Sequence, residues 1–304
     1  MKAQLALSAM LAATFAVQPA FAQKKRSTTT PSLVVQPWMS KEIGDAWALG
    51  YRGQNTTIMV VDQFNGGSGI WGNLTGINES LRHGQWTLKE ANLVAPSATM
   101  RSHDFSSGTR VALTAGRNVL NLSYGMMASS AYATSPIKWS AQESSIIRYA
   151  NEGRAVVAKA AGNDAVAVDA ANSLGNIDYL NRDLIGKQSA IFVGALSTNG
   201  TTSSPATLAD YSNTAGANAM VQNQFLMVGV EGSKTGLYGT SFAAPIISGY
   251  AAIVSNKFTS ATPTQIVNQL LNTARQDTIS GYELSVHGKG EASITRALAP
   301  VSIN

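Results

Sequence analysis

TTIMVVD, residues 56–62, is the stretch whose reading decides the fold. Its first six residues are β-branched or apolar with no polar interruption. A strand with one wet face would alternate, so this run reads as a strand covered on both sides, the pattern of parallel sheets sandwiched between helices. Working outward, the pattern returns at VLNLS (119–123), AVVAKAA (155–161), AIFVGA (190–195) and FLMVGV (225–230), each bounded by Gly, Asn or Ser. Helical signals lie between and around them. Residues 137–151 carry Trp139, Ile146, Ile147 and Tyr149 ahead of Gly153, and Thr262-Pro263 opens TPTQIVNQLLNTA with a cap and a first-turn proline. Ser40 is the N-cap candidate of a short helix ending at Gly50. Strands alternating with helices specify an α/β fold: a doubly wound, mostly parallel sheet with helices on both faces. Functional residues of such sheets gather past the C-terminal ends of the strands, where Asp62, Ser123 and Asn163 stand.

The chain has 304 residues, 44% of them hydrophobic and 13% charged, enough for one large core. MKAQLALSAMLAATFAVQPAFAQ at the start has a Lys2 n-region, an apolar run from Leu5 to Val17 and an Ala20-Phe21-Ala22 cleavage site. These are the parts of a cleavable secretory signal, so residues 1–22 are assigned to a signal peptide, 23–39 to a polar linker and 40–304 to the domain. The expected location is secreted or periplasmic. With no second long apolar run, stable membrane insertion is not expected. The absence of cysteine excludes a disulfide framework and any thiolate nucleophile or metal ligand. The net charge of +5 includes Lys2 and the Lys24-Lys25-Arg26 run. It comes with no basic and aromatic stripe, so nucleic acid is not an expected partner.

A second stretch bears on chemistry. In LYGTSFAAPIISGYAAIV (237–254), Ser241 stands before a segment apolar on every face, hence a buried helix. Ser241 is read either as that helix's N-cap or as a nucleophile at the positive end of its dipole. Gly239 and Pro245 suit a tight turn into the helix. Acyl transfer by a serine needs a base, a carboxylate orienting the base, and donors for an oxyanion. The base is one of His83, His103 or His287, and of these His83 has the most suggestive setting, followed by Gly84 and then by ANLVAPSATM, which runs from a polar helix end into a strand.

GTSFAAP (239–245) resembles the nucleophile motif of the subtilisin-like serine peptidases. AWALGYRGQNTTIMVVD resembles the segment leading to that family's catalytic aspartate, HG with the distant VAPSA its histidine motif, VVAKAAGN its oxyanion-asparagine motif, and NLSYG its substrate-binding edge strand. The resemblance extends over roughly 40–300 and includes DYSNTAG (210–216) and GKGEASITRAL (288–298). It implies a subtilisin-like endopeptidase acting on polypeptides, with Asp62, His83 and Ser241 as the triad. It further implies oxyanion donors from Asn163 and the Ser241 N–H, and a substrate strand laid beside Ser123, Tyr124 and Gly125. No cofactor is called for, and no acidic loop shows calcium-ligand spacing, so no metal is assigned.

The sequence departs from the family at Gln63-Phe64-Asn65 after Asp62 and at Gln85-Trp86 after His83. These departures keep a second reading open: a weak or inactive homologue that binds peptides or envelope proteins in its groove. A third reading keeps Ser241 but recruits Asp277 and His287 in α/β-hydrolase order. Trp86 is read as core packing, and Lys159, inside an apolar strand, as a buried stem whose head reaches solvent.

Overall fold

A computed structural model describes residues 33–132 and 136–303; residues 1–32, which hold the segment read as a signal peptide and most of the segment read as a linker, lie outside the described residues. Ten strands are present among these residues: β1 (Thr56–Asp62), β2 (Ile70–Gly72), β3 (Glu79–Leu81), β4 (Thr99–Asp104), β5 (Arg117–Leu122), β6 (Met127–Ser129), β7 (Val156–Ala160), β8 (Asn176–Asp178), β9 (Ala190–Leu196) and β10 (Phe225–Gly229). Six of them form one sheet in the order β10-β9-β7-β5-β1-β4, and every neighbouring pair is parallel. The expected doubly wound α/β architecture is therefore present. The remaining strands form two small antiparallel pairs, β2 with β3 and β6 with β8.

Burial explains why the sequence pattern was continuous. Side chains alternate across β1, with Ile58 and Val60 on one face and Met59 and Val61 on the other, and each face has its own core. The first face is covered by helices Glu42–Ala48, His83–Val94, Ala244–Lys257, Pro263–Asn272 and Ile294–Leu298. The second is covered mainly by Ala141–Glu152 and Tyr179–Leu184. Helix Ala244–Lys257 is buried from Ala244 to Ser255, so its all-round apolar sequence matches a position inside the molecule. It lies tightly on helix His83–Val94: a Cβ at Gly249 would come within 2.4 Å of Val94 Cγ1.

Boundaries differ from the sequence reading in three places. Trp38 and Met39 are buried, and Trp38 Nε1 donates to Leu74 O at 2.9 Å, so the core takes in residues assigned to the linker. An indole buried with its N–H satisfied outweighs the polar character of its neighbours. The first helix is capped at Lys41, with Ser40 Oγ accepting only a long bond of 3.4 Å from Glu42 N. The third helix starts at Ala141, because Ser140 accepts from Gln142 N and caps it.

Candidate active site

β1 lies between β4 and β5, where the winding of the sheet reverses, and the C-terminal ends of the parallel neighbours β1, β5 and β7 lie at the same side of the sheet. Asp62 closes β1 and is 1% exposed. Its Oδ1 lies 2.6 Å from His83 Nδ1 and also accepts from Gln63 N at 2.6 Å, while Oδ2 accepts from Thr87 Oγ1 at 2.9 Å. The unusual residue after the aspartate thus contributes through its backbone. His83 opens its helix and Thr87 is one turn further on, so one helix face presents both to the same carboxylate. Gly84 N donates to Gln63 O at 3.0 Å and seats the helix start on the end of β1. The imidazole packs at 5.6 Å, centroid to centroid, from the ring of Phe242, the residue after Ser241.

Ser241 stands in a short 3-10 turn, Thr240–Phe242, ahead of the long helix, and its hydroxyl caps nothing. The N-cap reading is thereby corrected: the helix begins at Ala244 with no side-chain cap, and Gly239 at φ 121° supplies the turn that lifts Ser241 out of the helical register. Two reciprocal bonds hold the serine to the strand end. Ser123 Oγ donates to Ser241 O at 2.8 Å, and Ser241 Oγ donates to Ser123 O at 3.2 Å. Among the described residues no hydrogen bond joins Ser241 Oγ to His83. Behind Ser123 the polar line continues through Asn121, whose Nδ2 donates to Ser123 Oγ at 3.0 Å, to Ser248 of the buried helix.

Asn163 follows β7 at the opposite wall. Its Oδ1 accepts from Thr240 N at 2.8 Å and Thr240 Oγ1 at 2.9 Å, which fixes the amide and leaves Nδ2 as its donor end. Neither Asn163 Nδ2 nor Ser241 N has an acceptor among the described residues, and both residues line one cavity of about 230 Å³. Two fixed, unspent donors beside a hydroxyl are what an oxyanion requires. Ser123, Tyr124 and Gly125 line the same cavity. Tyr124 is largely buried, stacks on Phe105 at 5.6 Å and points its hydroxyl to Glu143; burial, aided by the Glu143 charge, pushes the phenol well up.

The other histidines are engaged elsewhere. His103 Nε2 lies 3.0 Å from both Gln142 Oε1 and Ser107 Oγ. His287 is buried, takes Glu283 N on Nδ1 at 3.0 Å and stacks on Tyr282, while Asp277 pairs with Arg296 at 3.7 Å. The Asp277 and His287 alternative has no geometric support. Trp86 is fully buried with Nε1 on Ile70 O at 2.8 Å, as core packing requires. Lys159 corrects its expectation: its side chain is 2% exposed and ends on Asp178 Oδ2 at 3.0 Å, not in solvent.

Several contributors were not singled out from sequence: Thr87, Thr240, and Asn213, whose Oδ1 accepts from Asp164 N at 2.9 Å and braces the loop after Asn163. Thr87 had a signal, its spacing of one helical turn from His83. Among the described residues no three His, Asp or Glu side chains group closely enough to hold a metal, and no helix is long and apolar enough to cross a membrane.

Comparison with known proteins bears on this arrangement. Residues 74–290 match the model of the subtilase family. Among solved structures, MycP1 from the ESX-1 type VII secretion system aligns at 20% identity and a TM-score of 0.58, covering 90% of this chain and 88% of that one. The prenylagaramide maturation protease PagA aligns at 18% identity and 0.56, covering 85% and 98%. MycP1 from Mycobacterium smegmatis aligns at 19% identity and 0.54, covering 90% and 86%. At such identities the likeness speaks for the fold. No curated protein matches the sequence significantly.

Proposed function

The chain belongs to the subtilase family, and on that premise we propose that it is an exported serine endopeptidase in which Ser241, His83 and Asp62 cleave peptide bonds. One observation carries the reading: the buried Asp62 carboxylate receives His83 Nδ1 at 2.6 Å, and the imidazole so held packs on Phe242, next in sequence to Ser241. Asp62 accepts the hydrogen bond from Nδ1–H and is itself fixed by Thr87, which keeps the proton on Nδ1 and leaves Nε2 as the basic nitrogen. Ser241 Oγ attacks the scissile carbonyl, giving its proton to Nε2, and His83 returns that proton to the leaving amine. The oxyanion is received by Asn163 Nδ2 and Ser241 N, each such donor lowering the barrier by about 3 kcal/mol.

The hydroxyl's bond to Ser123 O fits a substrate-gated version of this sequence. A peptide laid along Ser123–Gly125 as an added strand needs the Ser123 carbonyl for its own N–H. Its arrival displaces the serine hydroxyl, which then turns to the imidazole. The same bond favours one second reading, a weakly active homologue that mainly binds peptides in this groove. The apolar run and small-residue cleavage site in residues 1–22 support export, with a periplasmic or secreted product.

Labelling with a fluorophosphonate serine probe tests the assignment. The protein as exported should be labelled, and both Ser241→Ala and His83→Ala should abolish labelling. Labelling that survives His83→Ala places the base elsewhere; a folded wild type without labelling leaves the peptide-binding reading in its place.

A further inference from the structure

Lys159 is anomalous for a strand inside a sheet, and it lies at the one place where a peptide substrate would notice it. Strand β7 is VVAKA, buried throughout, and the alternation of its side chains puts Lys159 on the second face of the sheet, under the loop that runs from Ser123 to Gly125. The ammonium donates to Ala160 O at 2.7 Å and to Asp178 Oδ2 at 3.0 Å. A lysine has three donors, and among the described residues the third has no acceptor. Asp178 is anchored in turn: Oδ1 accepts from Met126 N at 2.9 Å, Leu180 N at 3.0 Å and Asn181 N at 3.3 Å. Both charged side chains line the cavity that contains Ser241 and Asn163, whose remaining walls include Ala160, Ala161, Val166 and Val168. Asn172, Asn176 and Asn213 line it too, so the cavity combines apolar and amide walls around an ion pair.

Building on the peptidase reading, we propose that Lys159 and Asp178 determine which residue is accepted on the N-terminal side of the scissile bond, and that they select a primary amide, glutamine above all. Four kinds of side chain can be compared. An apolar one seals the ion pair from water and leaves the third Lys159 N–H without an acceptor, an uncompensated polar burial. An acidic one sets a second carboxylate on an ammonium already shared with Asp178, and Asp164 adds negative charge at the exposed edge of the cavity. A cationic one places like charge beside Lys159, where Asp178 already takes three backbone N–H bonds and the ammonium, which leaves Asp164 at the solvent-screened edge of the cavity to balance it. A glutamine amide adds no charge to the cavity. Its carbonyl accepts the free ammonium N–H, and its NH2 can donate to the remaining lone pair of Asp178 Oδ2. Sites built around such polar partners reject analogues lacking them more sharply than apolar pockets do.

The test is a set of quenched peptides identical except for Gln, Asn, Leu, Phe, Glu or Lys before the scissile bond. It is run on wild type and on the Lys159→Met/Asp178→Asn double variant, with fluorophosphonate labelling of each as the measure of an intact active site. Glutamine is expected to exceed Leu, Glu and Lys by at least tenfold in kcat/KM, and the glutamine-to-leucine ratio should fall at least tenfold in the labelled double variant. A labelled wild type that prefers Leu, Phe, Glu or Lys overturns the proposal and leaves the peptidase reading standing. If the double variant does not label, the wild-type ranking decides alone. If the wild type itself does not label, the peptidase reading fails, and calorimetric binding of the same peptides to Ser241→Ala decides this one: glutamine binding most tightly sustains it, any other order refutes it.

Discussion

Glu90 offers the most direct test of how the helix bearing His83 is stabilised. It lies two turns into that helix, 1% exposed, and its Oε2 has no hydrogen-bond partner among the described residues. Burial alone pushes its carboxyl well above the ordinary value. The folded state therefore holds this proton at pH values where the unfolded chain has released it. Stability from this group is complete below the unfolded value near ~4.3, and is lost as pH rises towards the folded one. Within that window each pH unit removes about 1.4 kcal/mol, or about 3 °C of melting temperature for a domain this large. Glu90→Gln keeps the shape, cannot ionise, and adds only a pH-independent cost for its amide. Thermal melts are recorded from pH 4 to pH 8 in a Ser241→Ala background to prevent self-digestion. The difference between variant and parent should rise with pH, in favour of Glu90→Gln. Glu291, also raised by burial, titrates in both proteins and cancels in the difference. A flat difference between pH 5 and pH 7 would refute the argument that Glu90 is buried without compensation.

Thr87→Val removes the only side-chain hydroxyl on Asp62 Oδ2 among the described residues; a hydrogen bond to a charged group of about 1.5 kcal/mol corresponds to roughly tenfold in kcat/KM, which Thr87→Ser should largely restore, and an unchanged kcat in Thr87→Val peptide assays would count against this role. Gly249→Ala drives a Cβ into Val94 and should lower stability by about 1–3 kcal/mol in urea melts, with Val94→Ala in the same chain recovering part of the loss.

The parallel sheet was legible because five of its six strands, the four central ones and β10, are buried nearly throughout, and five apolar runs announce that directly. β4 announced itself weakly. It forms one edge of the sheet and is partly exposed along TMRSHD, whereas β10 at the other edge is buried, so β4 carries no continuous apolar run. The three-residue pairs β2–β3 and β6–β8 are too short to leave a periodic trace. At the site, residues that sit in a dense motif were readable, and the hydrogen bond between Asp62 and His83 joins two of them. Lys159 shows where a linear reading stops. Its strand position gives the face it occupies, but its partner Asp178 comes from β8 and the cap of the next helix, and no spacing rule connects the two.

The anchoring of Asp178 has a consequence for how such a cavity can change over evolutionary time. One carboxylate fastens the segment after β5, the ammonium of β7 and the first turn of helix Tyr179–Leu184. Replacing it disturbs three segments together, whereas replacing Lys159 alters the cavity wall and leaves the three backbone N–H bonds to Asp178 in place. On the selectivity proposed for this cavity, heritable changes are channelled through the lysine, and related chains with other preferences should vary at position 159 while keeping an acceptor at position 178.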